Sequence, residues 1–192
     1  VVKYLLCLPL NNININTNDD HCFRYACYSG YLNVVEYLLE LPENNININV
    51  RDDWSFKKAC EDGHLSVIKY LLEFSGNNIN INVDDDHGFR FACCFGYLDV
   101  ISYLLALPGN NININADNNF GFRHACANGR LEMAKYLLTL PNNNICINDV
   151  NNFGFREACN NNRVDVAIFL SKLCDDYYVN VQENKIIEWK IM

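Results

Sequence analysis

Residues 83–115 read VDDDHGFRFACCFGYLDVISYLLALPGNNININ. The last six of them, NNININ at 110–115, also stand at 11–16, 44–49 and 77–82, and NNICIN fills 143–148. Each copy begins 33 residues after the one before, and two other signatures keep that interval. Ala26, Ala59, Ala92, Ala125 and Ala158 are each followed by Cys. Tyr4, Tyr37, Tyr70, Tyr103 and Tyr136 each open YLL, with Phe169 in the sixth place. Filler drifts in length because nothing holds its register. A kept period means that each unit stacks on the next in the same way, so the chain reads as a solenoid.

Within 83–115, Asp85 and Asp86 are N-cap residues placed before an apolar-periodic stretch. Phe89, Ala92, Cys93 and Gly96 follow at i, i+3, i+4 and i+7, the inner stripe of a short helix. Gly96 closes it in a left-handed conformation; Gly30, Gly63, Gly129 and Asn162 hold that place elsewhere. A second helix is expected from Leu98 to Leu107, with Leu98, Ile101, Leu104 and Leu105 inward and Asp99 complementing its dipole. Pro108 stops it, as do Pro9, Pro42 and Pro141 in their units. NNININ is then the connector, its Asn pair turning the chain and its isoleucines facing inward. An Asn ladder used for binding is the other reading of this segment, in a chain of which about a sixth is Asn.

Two helices and an extended connector in 33 residues resemble the ankyrin repeat. The resemblance is carried by ACEDGHLSVIKYLL at 59–72, similar to the family pattern AAxxGHxxVVxxLL, and it recurs in every unit. Two departures stand out. Where the family has TPLH, this chain has HCFR, WSFK, HGFR, FGFR and FGFR, and the D-x-x-G hairpin tip is missing. The arm from Ile81 to His87 is shorter, with LPxNN restoring the length. These variants resemble the divergent ankyrin proteins of large DNA viruses of amoebae. The expected fold is therefore an all-α ankyrin-repeat solenoid of stacked antiparallel helix pairs. Residues 1–16 would supply the second helix and connector of an incomplete repeat, followed by repeats at 17–49, 50–82, 83–115, 116–148 and 149–176. The segment 177–192, YYVNVQENKIIEWKIM, reads as a capping hairpin turning at Glu183-Asn184, with Tyr178 opposite Trp189. A short amphipathic helix over 183–191 is the other reading.

Composition narrows the function. A net charge of −8 with scattered basic residues lacks the footprint of nucleic-acid binding, and no apolar run reaches the length of a membrane span. The chain opens mid-repeat without Met, which predicts a fragment with unseen sequence upstream. Cys27, Cys60, Cys93, Cys126 and Cys159 recur one per repeat without the pairing a zinc site needs, so they read as buried core thiols. Ten unpaired cysteines favour an intracellular, reducing compartment, the host cytoplasm if the source is viral. His21, His64, His87 and His124 meet no nucleophile pattern, so no catalytic residue, cofactor or metal is expected.

Helical geometry selects a binding face. With Phe89, Ala92 and Cys93 inward, Phe91, Cys94 and Phe95 point the other way, into the groove that the resemblance assigns to partners. The equivalent triplets are Tyr25, Tyr28 and Ser29; Lys58, Glu61 and Asp62; His124, Ala127 and Asn128; Glu157, Asn160 and Asn161. Inner positions barely change between units, whereas these triplets share nothing. The expected partner-binding residues are Tyr25, Tyr28, Trp54, Lys58, Glu61, Asp62, Phe91, Cys94, Phe95, His124 and Asn128. Lateral packing of Phe91 against neighbouring helices is the competing reading. The ladder Arg24, Lys57, Arg90, Arg123 and Arg156 is read as donating to backbone carbonyls between repeats rather than as an anion site. The favoured function is a non-enzymatic scaffold for a protein partner. Two others stay open: the substrate-recruiting arm of a viral ubiquitin-ligase adaptor, and a structural viral component that self-associates through its uncapped N-terminal end.

Overall fold

The computed structural model describes residues 16–41, 45–76 and 78–192. The helix expected over the first residues, the connector copy at 11–15, Pro9 and Pro42 lie outside the described residues. The described chain forms α1 (Thr17–Tyr28), α2 (Leu32–Glu40), α3 (Val50–Glu61), α4 (Leu65–Glu73), α5 (Val83–Phe95) and α6 (Leu98–Ala106). It continues with α7 (Ala116–Ala127), α8 (Leu131–Thr139), α9 (Asp149–Asn160), α10 (Val164–Leu173), β1 (Tyr177–Gln182) and β2 (Lys185–Ile191). Two compact units divide it, Val1–Val83 and Asp84–Met192. In the first unit α1 packs on α3 and α2 on α4; in the second α7 packs on α9 and α8 on α10. Helix pairs are thus stacked as in an ankyrin solenoid.

The core follows the periodic residues. Phe23, Phe56, Phe89, Phe122 and Phe155 are no more than 1% exposed, and Ala92 and Cys93 are sealed beside Phe89. Gly96 is half-buried at the helix end. In α6, Ile101 and Leu104 are buried with Val100, while Leu98 and Leu105 are half-buried. That helix ends at Ala106, one residue early. Stacking is close because the neighbouring residue is small: a Cβ on Gly121 would sit 3.0 Å from Cys93 Cβ. Burial pushes the thiol of Cys27 up to about 12, with the nearby Ser55 hydroxyl acting the other way, and raises Cys60, Cys93 and Cys126 as well. These are inert packing groups.

The first helices do not begin as expected. Asp85 and Asp86 are not N-caps in extended backbone; with Asp84 they form a left-handed turn at φ 51, 52 and 60°. The same turn recurs at Asn18–Asp20, Arg51–Asp53, Asp117–Asn119 and Val150–Asn152. Left-handed backbone costs an ordinary L-residue about 1–2 kcal/mol, and Asn and Asp bear it best. All fifteen positions except Arg51 and Val150 are Asn or Asp.

Two interactions hold this turn. Arg24 donates through Nε to the Asp19 carbonyl at 2.7 Å and through Nη2 to that of Asn18 at 3.0 Å. Arg90 does the same to Asp85 and Asp84, and Arg123 to Asn118 and Asp117. The Arg ladder therefore serves carbonyls of its own repeat, not carbonyls between repeats. The buried third carboxylate reaches across instead. Oδ2 of Asp20, Asp53 and Asp86 accepts the backbone N–H of Asn47, Asn80 and Asn113 respectively, each at 2.9 Å.

Connector asparagines are spent on backbone. Oδ1 of Asn47, Asn80 and Asn113 accepts the N–H two residues on, each at 3.0 Å. Asn110 and Asn143 cap carbonyls at the ends of α6 and α8. Ile48 is buried and Ile79, Ile112 and Ile145 are half-buried, against exposed Asn47, Asn80 and Asn113, so the inward alternation holds.

The C-terminal segment is a two-stranded antiparallel hairpin with Glu183 and Asn184 at φ 48 and 59°. Its register departs by one residue: Trp189 pairs with Val179, and Tyr178 pairs with Lys190. An irregularity between Asn180 and Val181, which pair with Glu188 and Ile186, leaves Ile187 as the extra residue. The shift brings Trp189 edge-on to Phe155 at 6.1 Å while Tyr177 stacks on the same ring at 4.1 Å.

Two substitutions test this account by urea denaturation. Arg123→Ala should cost about 1–3 kcal/mol, because two turn carbonyls lose charged donors, and Arg123→Lys should not restore it. Leu104→Ala should cost about 2–5 kcal/mol through the cavity it leaves.

Candidate functional site

Residues left over after the scaffold is satisfied lie on the solvent side of the first helices. In the first unit Tyr25 is 55% and Tyr28 42% exposed, and Trp54 is half-buried. Their rings form a chain, His21–Tyr25 at 6.2 Å, Tyr25–Tyr28 at 6.0 Å and Tyr28–Trp54 at 6.3 Å. The guanidinium of Arg24 lies over Trp54 at 5.2 Å. Lys58 and Glu61, both half-buried, form an ion pair with each other. Asp62 is half-buried, and its Oδ2 has no hydrogen-bond partner among the described residues.

In the second unit Phe91 is half-buried between His87, stacked at 4.3 Å, and Phe120 at 5.3 Å. His124 continues the series, 4.0 Å from Phe120 and 5.0 Å from Phe153. Arg90 and Arg123 lie over Phe120 and Phe153 at 5.0 and 5.4 Å. Phe91 thus packs sideways against neighbouring rings, as the competing reading expects, and is half-buried. Phe95 is 38% exposed.

Two of the expected groove residues face elsewhere. Cys94 is 6% exposed, and Asn128 Nδ2 donates to its carbonyl and lies 3.0 Å from its sulfur. That pair ties the end of α5 to the end of α7. Asn161 repeats the tie to the Ala127 carbonyl at 3.4 Å. Conversely, His87, Phe120 and Phe153 belong to the ring series although the triplet geometry missed them. The signal was present: His21, Trp54, His87, Phe120 and Phe153 keep the 33-residue interval with a ring in every unit.

Each unit thus offers its own row of rings flanked by charge. Among the described residues no group of three or more His, Cys, Asp and Glu is arranged to hold a metal ion. No helix among them is long and apolar enough to cross a membrane, and the cysteines described are free thiols, consistent with a reducing compartment.

Residues 56–105 match the family model of ankyrin repeats (many copies). Ankyrin repeats are in general protein-binding scaffolds, and the matched family is not a catalytic one. No curated protein matches the chain. The likeness to amoebal-virus proteins finds no support in these comparisons.

His124 gives the row of the second unit a pH dependence. Burial, then the nearby Arg123 cation, lower its pKa from the ordinary 6.5, against a smaller upward pull from Asp117. The unfolded chain therefore takes up the proton first as pH falls, so protonation favours unfolding. Stability should be full above about pH 6.5 and decline through that value toward the lower folded pKa. His124→Phe should flatten this segment of the stability-against-pH curve, measured by thermal melts between pH 5 and 8.

Proposed function

We propose that the protein is a non-enzymatic scaffold that captures a protein partner on the solvent face of its first helices. Tyr25, Tyr28 and Trp54 are the anchors in the first unit, and Phe91 and Phe95 in the second. Lys58, Glu61, Asp62 and His124 flank them. The observation that carries this reading is the exposure of Tyr25 and Tyr28, at 55% and 42%, on helices whose inner stripes are already filled by Phe23, Ala26 and Cys27. Tyrosine and tryptophan bury large area with few rotors, which makes them frequent anchors of protein interfaces. The ankyrin match supports binding of this kind in general.

The flanking charges suit selection more than affinity. Lys58 and Glu61 neutralise each other, so a partner gains little by pairing with either alone.

Substitution of Tyr25 and Tyr28 by Ser, and separately of Phe91 and Phe95, tests the face. Each double variant should keep its far-ultraviolet circular dichroism and lose partner capture by about tenfold or more in a pull-down. Capture that is unchanged in both would overturn the assignment.

A further inference from the structure

The cysteines of the second unit fall into two kinds. Cys93, Cys94, Cys126 and Cys159 are buried, whereas Cys146 is exposed and Cys174 half-buried. Burial raises the thiols of Cys93 and Cys126 and pushes that of Cys159 up to about 12, which makes them poor nucleophiles. The other two are reachable, and the repeat places them at one spot. Cys146 stands where the earlier connectors carry Asn47, Asn80 and Asn113. At those positions the side chain folds onto the backbone N–H two residues on, as Asn113 does to Asn115 at 3.0 Å. Cys146 and Asn148 are both exposed on either side of half-buried Ile147, so they share the outer side of the connector. Cys174 reaches the same residue, its Sγ donating to Asn148 Oδ1 at 3.2 Å.

The preceding repeat shows what this juxtaposition means. There the equivalents of the two cysteines, Asn113 and Pro141, line a single open cavity of about 460 Å³ together with Asn115. In the last repeat Tyr177 fastens the segment, its hydroxyl 3.1 Å from the Ile147 carbonyl and 2.8 Å from Asn152 Oδ1. Cys174 lies three residues before β1, so whatever holds it also holds the start of the hairpin.

We propose that Cys146 and Cys174 form a reversible disulfide that clips the start of the C-terminal hairpin to the connector ahead of α9. The oxidant is a low-molecular-weight disulfide of the glutathione class. The Cys146 thiolate attacks one sulfur of that disulfide, forming a mixed disulfide and expelling one glutathione thiol. The Cys174 thiolate then attacks the Cys146 sulfur, forming the protein S–S bond and expelling the second. Two protein thiols are oxidised, one glutathione disulfide becomes two glutathione thiols, and the two protein protons go to them. The bridge closes the segment from 146 to 174 and removes disorder from the open state of the cap. In the reduced state the hairpin is held by Tyr177 and Trp189 against Phe155, by the Tyr177 hydroxyl, and by the Ile186 N–H donating to Asn162 Oδ1 at 2.8 Å.

The test incubates the full chain with glutathione disulfide and maps peptides by mass spectrometry without reduction. The expected product joins the peptides containing Cys146 and Cys174, with the loss of two hydrogens. Amide exchange across β1 and β2 should slow by about tenfold or more and return on treatment with dithiothreitol. Cys146→Ser and Cys174→Ser should each lack the link and carry glutathione on the remaining cysteine. Separate glutathione adducts on both cysteines of the parent chain without a link, or a link through Cys22 or between two chains, would overturn the proposal.

Discussion

A carboxylate at the end of a left-handed turn, reaching one backbone N–H of the next connector, sets the geometry of this chain. Asp20, Asp53 and Asp86 each make this bond at 2.9 Å to a residue 27 positions downstream. Buried carboxylates are costly unless their oxygens are satisfied, and these are satisfied by groups the fold itself supplies. Oδ1 of Asp20 and Asp53 accepts an amide from Asn16 and Asn49, so both oxygens are used. The bond fixes where a connector must pass, and thereby how many residues a unit contains. In these three units a connector one residue longer would carry its N–H past the carboxylate.

Much of this was legible. Phe, Ala and Cys at helical spacing gave the inner stripe, and Gly at the helix ends gave the caps, because each of these residue types has one dominant physical use there. Gly30 shows the constraint: its φ is 71°, and an added Cβ would meet the His64 ring at 2.5 Å. Asn162 takes the same conformation at φ 53°. The left-handed turn was hidden because Asn and Asp serve equally as N-caps and as left-handed residues, so DDD before a helix supports both readings. Only the Arg five residues after the turn's second carbonyl separates them, and its role depends on two carbonyls converging in space. The hairpin register was missed for a similar reason. Ile187 is an ordinary strand residue, and the bulge follows from seating Trp189 against Phe155.

The Asn enrichment now has a physical cause. Asparagine fills the left-handed turns, whose backbone it tolerates, and the connector turns and helix ends, where its amide bonds to nearby backbone. A binding ladder would need these amides turned outward, and Asn47, Asn80, Asn110, Asn113 and Asn143 are turned to the chain instead. In the proposed function, recognition therefore falls to the rings.

The rings are not independent of the scaffold, because the same arginines serve both. The edge of Arg24, Arg90 and Arg123 donates to the turn carbonyls, while the face lies on the ring that opens the following helix, Trp54, Phe120 or Phe153. Lysine has no such plane, so it cannot fill both roles at once. A ring held this way is positioned before any partner arrives and loses little freedom on binding. Tyr25 and Tyr28 differ in lying further along their helix, where no arginine among the described residues covers them, and they are 55% and 42% exposed. Within the first unit this separates a pre-ordered ring, Trp54 under Arg24, from outlying Tyr25 and Tyr28, whose exposed area remains to be buried.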